Sequence, residues 1–434
     1  TQEMLRAGSR AKMAELTAAE IYDIRENRNL LTKGQADFMP KDGEQLRLML
    51  ANLDTQEKAL LELFTGTKTS ERRTFVFDIC PEQAAEENGL TGGRTLLPEW
   101  FPQSGIQISW PHEDTDWMPM LQEVTECYLR LAFAIASREP LLITTPQPEA
   151  LKKLLREKMP QNVCDRIRIV ACPTNDTWVR DYGFLTVLHE TQMELLDFRF
   201  RGWGGKFEAE KDNAVNRHIL SEMKGTYVDC LDYELEGGSI ETDGRGTLLT
   251  TSRCLCNTNR NGGLTKAQCE AALSERLGVN RFLWLDHGYL AGDDTDSHID
   301  TLARLAPDDT IIYIGFPDAD DEHFEELHAM REELRAFRTA EGKPYRLLEL
   351  PFPDPVFDPD GERLPATYAN YLILNRAVLY PTYAQPEHDQ QAAAVLAQAF
   401  PHHDIVGVDC RALIRQHGSL HCATMQYPRT ILTF

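Results

Sequence analysis

The sequence predicts an α/β fold. From about residue 100 onward, short apolar runs of strand length alternate with longer stretches whose apolar residues recur at helical spacing. The residues able to do chemistry gather around positions 178–183, 236–239, 298–300 and 417–424, and no two of these clusters are neighbours in sequence. Successive strand–helix–strand units that return each time to one centre account for both observations.

The elements follow in order. Residues 1 to about 70 read as helix, with Met13, Leu16, Ile21 and Ile24 near a three-four spacing and a second run from Gln45 to Phe64 opened by Asp42-Gly43. Thr74-Phe75-Val76-Phe77 is a strand candidate. Nothing in this stretch has catalytic spacing, and it reads as an extension for packing or interaction. Gly89-Leu90-Thr91-Gly92-Gly93 reads as a linker, which divides the chain into a helical extension, 1–90, and a main domain, 91–434. Strands are expected at 106–110, 141–144, 167–170, 248–250, 282–284, 310–313, 372–374 and 405–408. Helices are expected at 118–137, 151–159, 266–277, 321–337 and 389–399. About five strand–helix–strand units can be counted, without a literal repeat.

Bulk properties narrow the function. The chain has 434 residues, 42% hydrophobic and 26% charged, the balance of a folded rather than a disordered protein. Its net charge of −23 argues against nucleic acid or an anionic membrane as partner, and an acidic field draws small cations towards a cleft. The ten cysteines are too sparse for a disulfide scaffold, and Cys254-Leu255-Cys256 has no second Cys/His pair at zinc-finger spacing. Most of the thiols are expected to be buried, reduced and inert. No apolar window reaches the roughly 18 residues of a membrane helix. The expected compartment is the cytoplasm, although Thr at position 1 leaves open a leader removed before it.

Each chemical cluster has a competing plain reading. A thiolate is the strongest nucleophile near neutral pH when something stabilises it or takes its proton. Cys422 lies in His417-Gly418-Ser419-Leu420-His421-Cys422-Ala423-Thr424, after a loop whose backbone N–H groups can approach a developing charge. A cationic substrate would itself favour the thiolate; the alternative is a buried structural cysteine. His298-Ile299-Asp300 alternates, so on a strand its imidazole and carboxylate share a face, a proton-transferring histidine beside a grip for a cation. It follows the acidic loop Gly292-Asp293-Asp294-Thr295-Asp296. The alternatives there are a surface loop with a satisfied histidine, or a metal site shared with His417 and His421. In Trp178-Val179-Arg180-Asp181-Tyr182-Gly183, Asp181 could receive two parallel N–H bonds from a guanidinium while Trp178 packs on that planar cation. The alternative is an Arg180–Asp181 ion pair. Glu236-Gly237-Gly238-Ser239 offers a carboxylate on a turn, or only a turn.

Together these pieces, with Leu97-Pro98-Glu99-Trp100, Trp110-Pro111, Asn175-Asp176-Thr177 and Gly202-Trp203-Gly204-Gly205-Lys206, resemble in order the guanidino-modifying pentein superfamily. Within it the match is to the agmatine deiminase and bacterial peptidyl-arginine deiminase family, from about Leu97 to the end. Residues before about 90 resemble the tail of a Bacteroidales domain of unknown function, which implies no activity. The family resemblance implies a five-bladed α/β propeller of pseudo-fivefold symmetry with the site on its axis. It implies Cys422 as nucleophile, His298 as general acid and base, Asp181 and Asp300 as the guanidinium clamp, and Glu236 as a support bonded to His298 or the substrate. Trp178 would line the substrate channel and Asn370 would contact the substrate; no metal or organic cofactor is required.

Two departures bear on the substrate. Gln416-His417-Gly418-Ser419-Leu420 stands where agmatine deiminases usually carry a run of glycines and Asn, and Arg199 and Arg201 lie near where the peptidyl-arginine branch captures a carboxylate. The acidic loop, with Asp296, is expected to meet a second positive charge, which favours agmatine. The expected activity is hydrolysis of agmatine to N-carbamoylputrescine and ammonia through a Cys thiouronium, a step in polyamine metabolism. Peptidyl- or free arginine is the alternative substrate. A metallohydrolase using His298, Asp300 and His421, and a non-catalytic guanidinium binder, are the alternative classes. The resemblance suggests a dimer or larger homo-oligomer.

Overall fold

Parallel neighbouring strands cannot be joined by a tight turn, so each pair demands a crossover, and here the amphipathic stretches supply it. The structure, a computed structural model, describes residues 93–434. The helices and the strand expected before Gly89, and most of the expected linker, lie outside the described residues.

Among the described residues the strands form five separate sheets on one plan, in which the first two strands run antiparallel and the second and third parallel. Ile240–Thr242, Thr247–Thr251 and Arg281–Leu285 make one sheet, with Leu248 beside Phe282 in the parallel register. Ala303–Ala306, Thr310–Ile314 and Arg346–Leu350 make another, and Leu372–Ile373, Ala377–Thr382 and Asp404–Asp409 a third. Two sheets carry a fourth strand. Leu185–His189, Gln192–Arg199 and Thr226–Glu234 gain Arg94–Leu96 outside the first strand. Met425–Pro428, Gln103–Ser109 and Leu141–Thr145 gain Ile167–Ala171 beyond the third. In this last sheet the first strand comes from the far end of the sequence, with Met425 paired to Gln107.

Helices Leu121–Ala136, Lys266–Leu277, Phe324–Ala336 and Pro386–Ala399 each connect the parallel strands of their own sheet. Their inner faces are buried at the expected spacing: Cys269, Leu273 and Leu277 are four residues apart and fully buried. Each leucine so buried contributes roughly 1.5–3 kcal/mol. The helix 266–277 is bounded as its sequence predicts. Thr265 and Gln268 form a capping box at its start, and Gly278 ends it in the left-handed region at φ 71°. Helix 118–137 is observed as a short 3-10 turn, Met118–Met120, followed by Leu121–Ala136.

One local expectation is corrected. His298-Ile299-Asp300 is not a strand: His298 is extended, but Ile299–Thr301 winds into a 3-10 turn, closed by the Thr301 N–H on the His298 carbonyl at 3.3 Å. Among the described residues no helix is long and apolar enough to cross a membrane, and all nine cysteines are unpaired.

Gly278 yields a test. A Cβ there would stand 1.7 Å from the Arg94 carbonyl oxygen, on a backbone already at positive φ. Gly278→Ala is expected to cost more than about 1 kcal/mol and to lower the thermal midpoint; an unchanged or raised midpoint would refute this.

Candidate active site

The five sheets share a further feature. In each, the irregular segment leading into the first strand of the common plan carries a residue singled out from sequence. Asp181 precedes Leu185–His189, Glu236 precedes Ile240–Thr242, and His298 and Asp300 precede Ala303–Ala306. Asn370 precedes Leu372–Ile373, and Cys422 precedes Met425–Pro428. These six side chains, scattered over 242 positions from 181 to 422, are all buried.

Gly238 marks where they converge. A Cβ on it would lie 2.7 Å from His298 Nδ1, 2.9 Å from Asp181 Oδ1 and 3.1 Å from Asp300 Oδ2. A side chain there would press into all three groups, so glycine is required, and its N–H donates to Asp181 Oδ1 at 3.0 Å. Gly237 is equally constrained, since a Cβ would meet the Arg180 carbonyl at 2.2 Å. The Glu236-Gly237-Gly238 turn is therefore packed into the floor of the site.

Cys422 sits on a tight turn in which the Thr424 N–H donates to the His421 carbonyl at 3.0 Å. Its Sγ is 3.7 Å from Asp300 Oδ2 and 3.4 Å from Asn370 Oδ1. Asn370 Oδ1 also accepts the backbone N–H of His421 at 2.9 Å and of Cys422 at 3.2 Å, so one amide fixes the backbone at Cys422. Upstream, Gly418 lies flat against Trp178, where a Cβ would come within 2.4 Å of the indole ring. Trp178 in turn packs against Trp117, ring centroids 5.7 Å apart. Trp178 thus walls the loop that carries the cysteine.

The electrostatics suit a planar cation. Asp181 is buried, which pushes its carboxyl up to about 6 although His298 and the Trp203 N–H at 2.9 Å pull the other way. Burial also acts on Asp300 and Glu236, but charged neighbours overcome it and hold both below the usual carboxylate range. His421 Nδ1 lies 2.8 Å from Asp300 Oδ2, while Glu236 Oε2 receives His298 Nε2 at 2.9 Å and Arg260 Nε at 2.8 Å. His298 would be driven down by burial, yet Asp181, Cys254 and Glu236 carry it well above its ordinary value. The Cys422 thiol is driven up by burial and by the charges of Asp300 and Asp181, so a cation beside it would favour the thiolate. Among the six converging side chains, Asp300 Oδ1, Glu236 Oε1 and His298 Nδ1 are buried without a hydrogen-bond partner. A guanidinium, with five N–H donors in a rigid fork, matches carboxylate oxygens left open in this way, whereas a protonated His298 offers a donor at Nδ1.

Of the predicted residues, Cys422, His298, Asp181, Asp300, Glu236 and Asn370 come together. Asp296 lies further out: its carboxylate is engaged by Arg260 Nη1, by Lys206 Nζ at 2.9 Å and by Asn259 Nδ2 at 3.2 Å. The Arg180–Asp181 ion pair does not form, because the Arg180 guanidinium turns to the His421 carbonyl and Met425 Sδ. His298, Asp300 and His421 are not a ligand set either. Among the described residues the His/Cys/Asp/Glu groups spaced for a metal are Glu236–Cys254–His298 and Glu99–Glu241–His421.

Sequence reasoning missed the supports. Arg304, fully buried, pairs with Glu99 and Glu241, donates to the Tyr371 carbonyl at 2.6 Å and lies 4.6 Å over the Tyr371 ring. His421 joins this group to the site, with Nε2 2.8 Å from Glu99. Glu99 and Trp203 stand in motifs noted above but had no assigned role, and Arg260 and Arg304 lie in stretches with no signal of their own.

Two outcomes follow. Cation binding needs Asp181 ionised, so kcat/KM should fall about tenfold per pH unit below about 6, and Asp181→Asn should abolish that limb with most of the activity; a flat profile down to pH 5 would contradict the assignment. Gly238→Ala should displace His298, Asp181 and Asp300 and cost at least about 100-fold in kcat/KM with an unchanged circular-dichroism spectrum; near-normal turnover would mean that the placement of these three groups does not govern the reaction.

The comparisons with known proteins agree with this geometry. Residues 95–428 match the family model of the Porphyromonas-type peptidyl-arginine deiminases, and residues 1–91 match a domain of unknown function. The chain is similar to the agmatine deiminase of Stutzerimonas stutzeri, 32% identical over 359 residues, covering 77% of this chain and 96% of the relative. Among solved structures, a provisionally named arginine deiminase of Porphyromonas gingivalis is 46% identical at TM-score 0.74, covering 78% of this chain and 100% of the other. The C. jejuni agmatine deiminase with substrate bound is 37% identical at TM-score 0.71, covering 78% of this chain and 97% of the other. A match over this length, joined to a buried Cys–His–carboxylate centre, is decisive: the chain belongs to the Porphyromonas-type peptidyl-arginine deiminase family, a family of guanidino-group hydrolases.

Proposed function

We propose that the chain hydrolyses agmatine to N-carbamoylputrescine and ammonia through a thiouronium on Cys422. The observation that carries this is the convergence of Asp181, Asp300 and His298 on one point above Gly238, with Cys422 Sγ 3.7 Å from Asp300. The guanidinium binds between Asp181 and Asp300, beside Cys422, and donates to both carboxylates. Its charge favours the thiolate, which attacks the central carbon. His298, protonated and facing the site through Nδ1, gives a proton to the departing nitrogen, and ammonia leaves. The neutral imidazole then takes a proton from water as the water adds to the thiouronium. Collapse expels the Cys422 thiolate and releases the ureido product. Glu236 holds His298 through Nε2 during both half-reactions.

The five sheets on a common plan, each leading one loop to the site, support reading the fold as a pseudo-fivefold α/β propeller with the site on its axis. The two family matches support a division into an extension, 1–90, and a catalytic domain, 91–434. Unpaired cysteines fit a reducing cytoplasm. The partner is a small cation rather than nucleic acid or a membrane, and self-association is expected.

A second reading, free or peptidyl-arginine as substrate, is favoured by one observation. Lys206 and Arg260 already neutralise Asp296, which leaves less charge to meet a second ammonium. Ammonia release should therefore be measured on agmatine, free arginine and C-terminal-arginine peptides. Turnover of agmatine above the others, lost in Cys422→Ala by at least about 10⁴-fold, supports the proposal. Preference for either arginine substrate overturns the agmatine reading, and binding without turnover of any of them overturns catalysis.

A further inference from the structure

Cys254 is a second buried thiol at the site, and the reaction above does not use it. It is the third residue of a short helical turn, Ser252–Leu255, and its N–H donates to the capping Thr251 hydroxyl at 3.3 Å. Its Sγ lies 3.9 Å from Glu236 Oε2, the same oxygen that faces His298 Nε2 at 2.9 Å. One ligand atom from each of Glu236, Cys254 and His298 lies within 4.8 Å of the others. We propose that these three residues form a site for a soft divalent cation such as zinc, and that its occupancy inhibits the enzyme.

Geometry and donor chemistry support this. Thiolate, imidazole and carboxylate are the donors zinc takes, at about 2.3, 2.0–2.1 and 2.0–2.2 Å, which places tetrahedral neighbours about 3.3–3.6 Å apart. The two edges from Glu236 Oε2, 2.9 Å to His298 Nε2 and 3.9 Å to Cys254 Sγ, bracket that spacing, and the third lies within 4.8 Å. Arg260 Nε also bonds Glu236 Oε2 at 2.8 Å, so metal binding shifts the arginine to Glu236 Oε1, which is buried without a hydrogen-bond partner. The other cluster of this kind, Glu99–Glu241–His421, already holds a cation: Arg304 bonds both carboxylates and lies 3.0 Å from His421 Nε2.

The consequence for the reaction is specific. Zinc on Nε2 replaces the proton that Glu236 receives there. His298 could then deliver its Nδ1 proton to the departing nitrogen only by becoming an imidazolate on the metal. The first half-reaction stalls although Cys422 is untouched.

The site is tested with the metal alone on the full chain, so failure of the agmatine reading leaves it intact and its own failure leaves that reading intact. Cys422→Ala should bind one Co²⁺ per chain and show a thiolate-to-cobalt absorption band in the near ultraviolet. Cys254→Ser should lose the band and weaken Zn²⁺ binding by calorimetry by more than about 100-fold, beyond the cost of losing an outer partner of a ligand. His298→Ala, an independent removal of a second donor, should lose the band as well. A band that persists in Cys254→Ser, or is absent from Cys422→Ala, overturns the proposal by assigning the metal to the nucleophile or to no thiol.

Discussion

Carboxylates taken out of water must be matched by donors or cations, and this one requirement organises the centre of the molecule. Glu99, Asp181, Glu236, Glu241 and Asp300 are all buried. Arg304 answers Glu99 and Glu241, Arg260 answers Glu236, and His421 bridges Glu99 and Asp300. The matching is incomplete where it counts. Asp300 Oδ1 and Glu236 Oε1 are buried without a hydrogen-bond partner, and His298 Nδ1 has only the Asp181 carboxylate at 3.6 Å. A site that is nearly but not fully neutralised is prepared for one more cation. The substrate's binding energy is then drawn from charge that the fold has already desolvated.

This arrangement also explains the loops. A backbone crowded into one point cannot be regular strand, because successive strand side chains point to opposite faces. The chain uses turns instead: Gly237–Ser239, Ile299–Thr301 and the turn at Cys422 each deliver a side chain inward and then release the chain into a strand. His298 and Asp300 were expected to share a face because they are two apart on a strand. They do face one centre, but through a 3-10 turn rather than a strand.

How much could be read in advance depended on whether local physics decided the outcome. The helix 266–277 was legible to the residue because Thr265, Gln268 and Gly278 are local stop and start signals. The apolar strand at Leu141–Thr145 was legible for its unbroken apolar run. Ala303–Ala306 was not, since a strand containing Arg304 reads as surface, and only the distant Glu99 and Glu241 make that arginine a core residue. Gln192–Arg199 and Thr226–Glu234 were missed for the same reason, with polar residues such as Asp197 placed inside by Asn216 and Tyr227. At the site, each residue carried only a modest signal; order and spacing across the whole set joined them. Asp296 shows the limit, because its partners Lys206 and Arg260 lie 90 and 36 positions away and no local pattern announces them.

The pairing of Met425–Pro428 with Gln103–Ser109 has a temporal side. Strands some 320 residues apart in sequence can meet only after nearly everything between them has left the ribosome, and such distant closures are slow. The segment that zips them together is the one that carries the sulfur. The carboxylates at 181 and 300 are therefore synthesised before Cys422, and the site gains its sulfur only once that pairing forms.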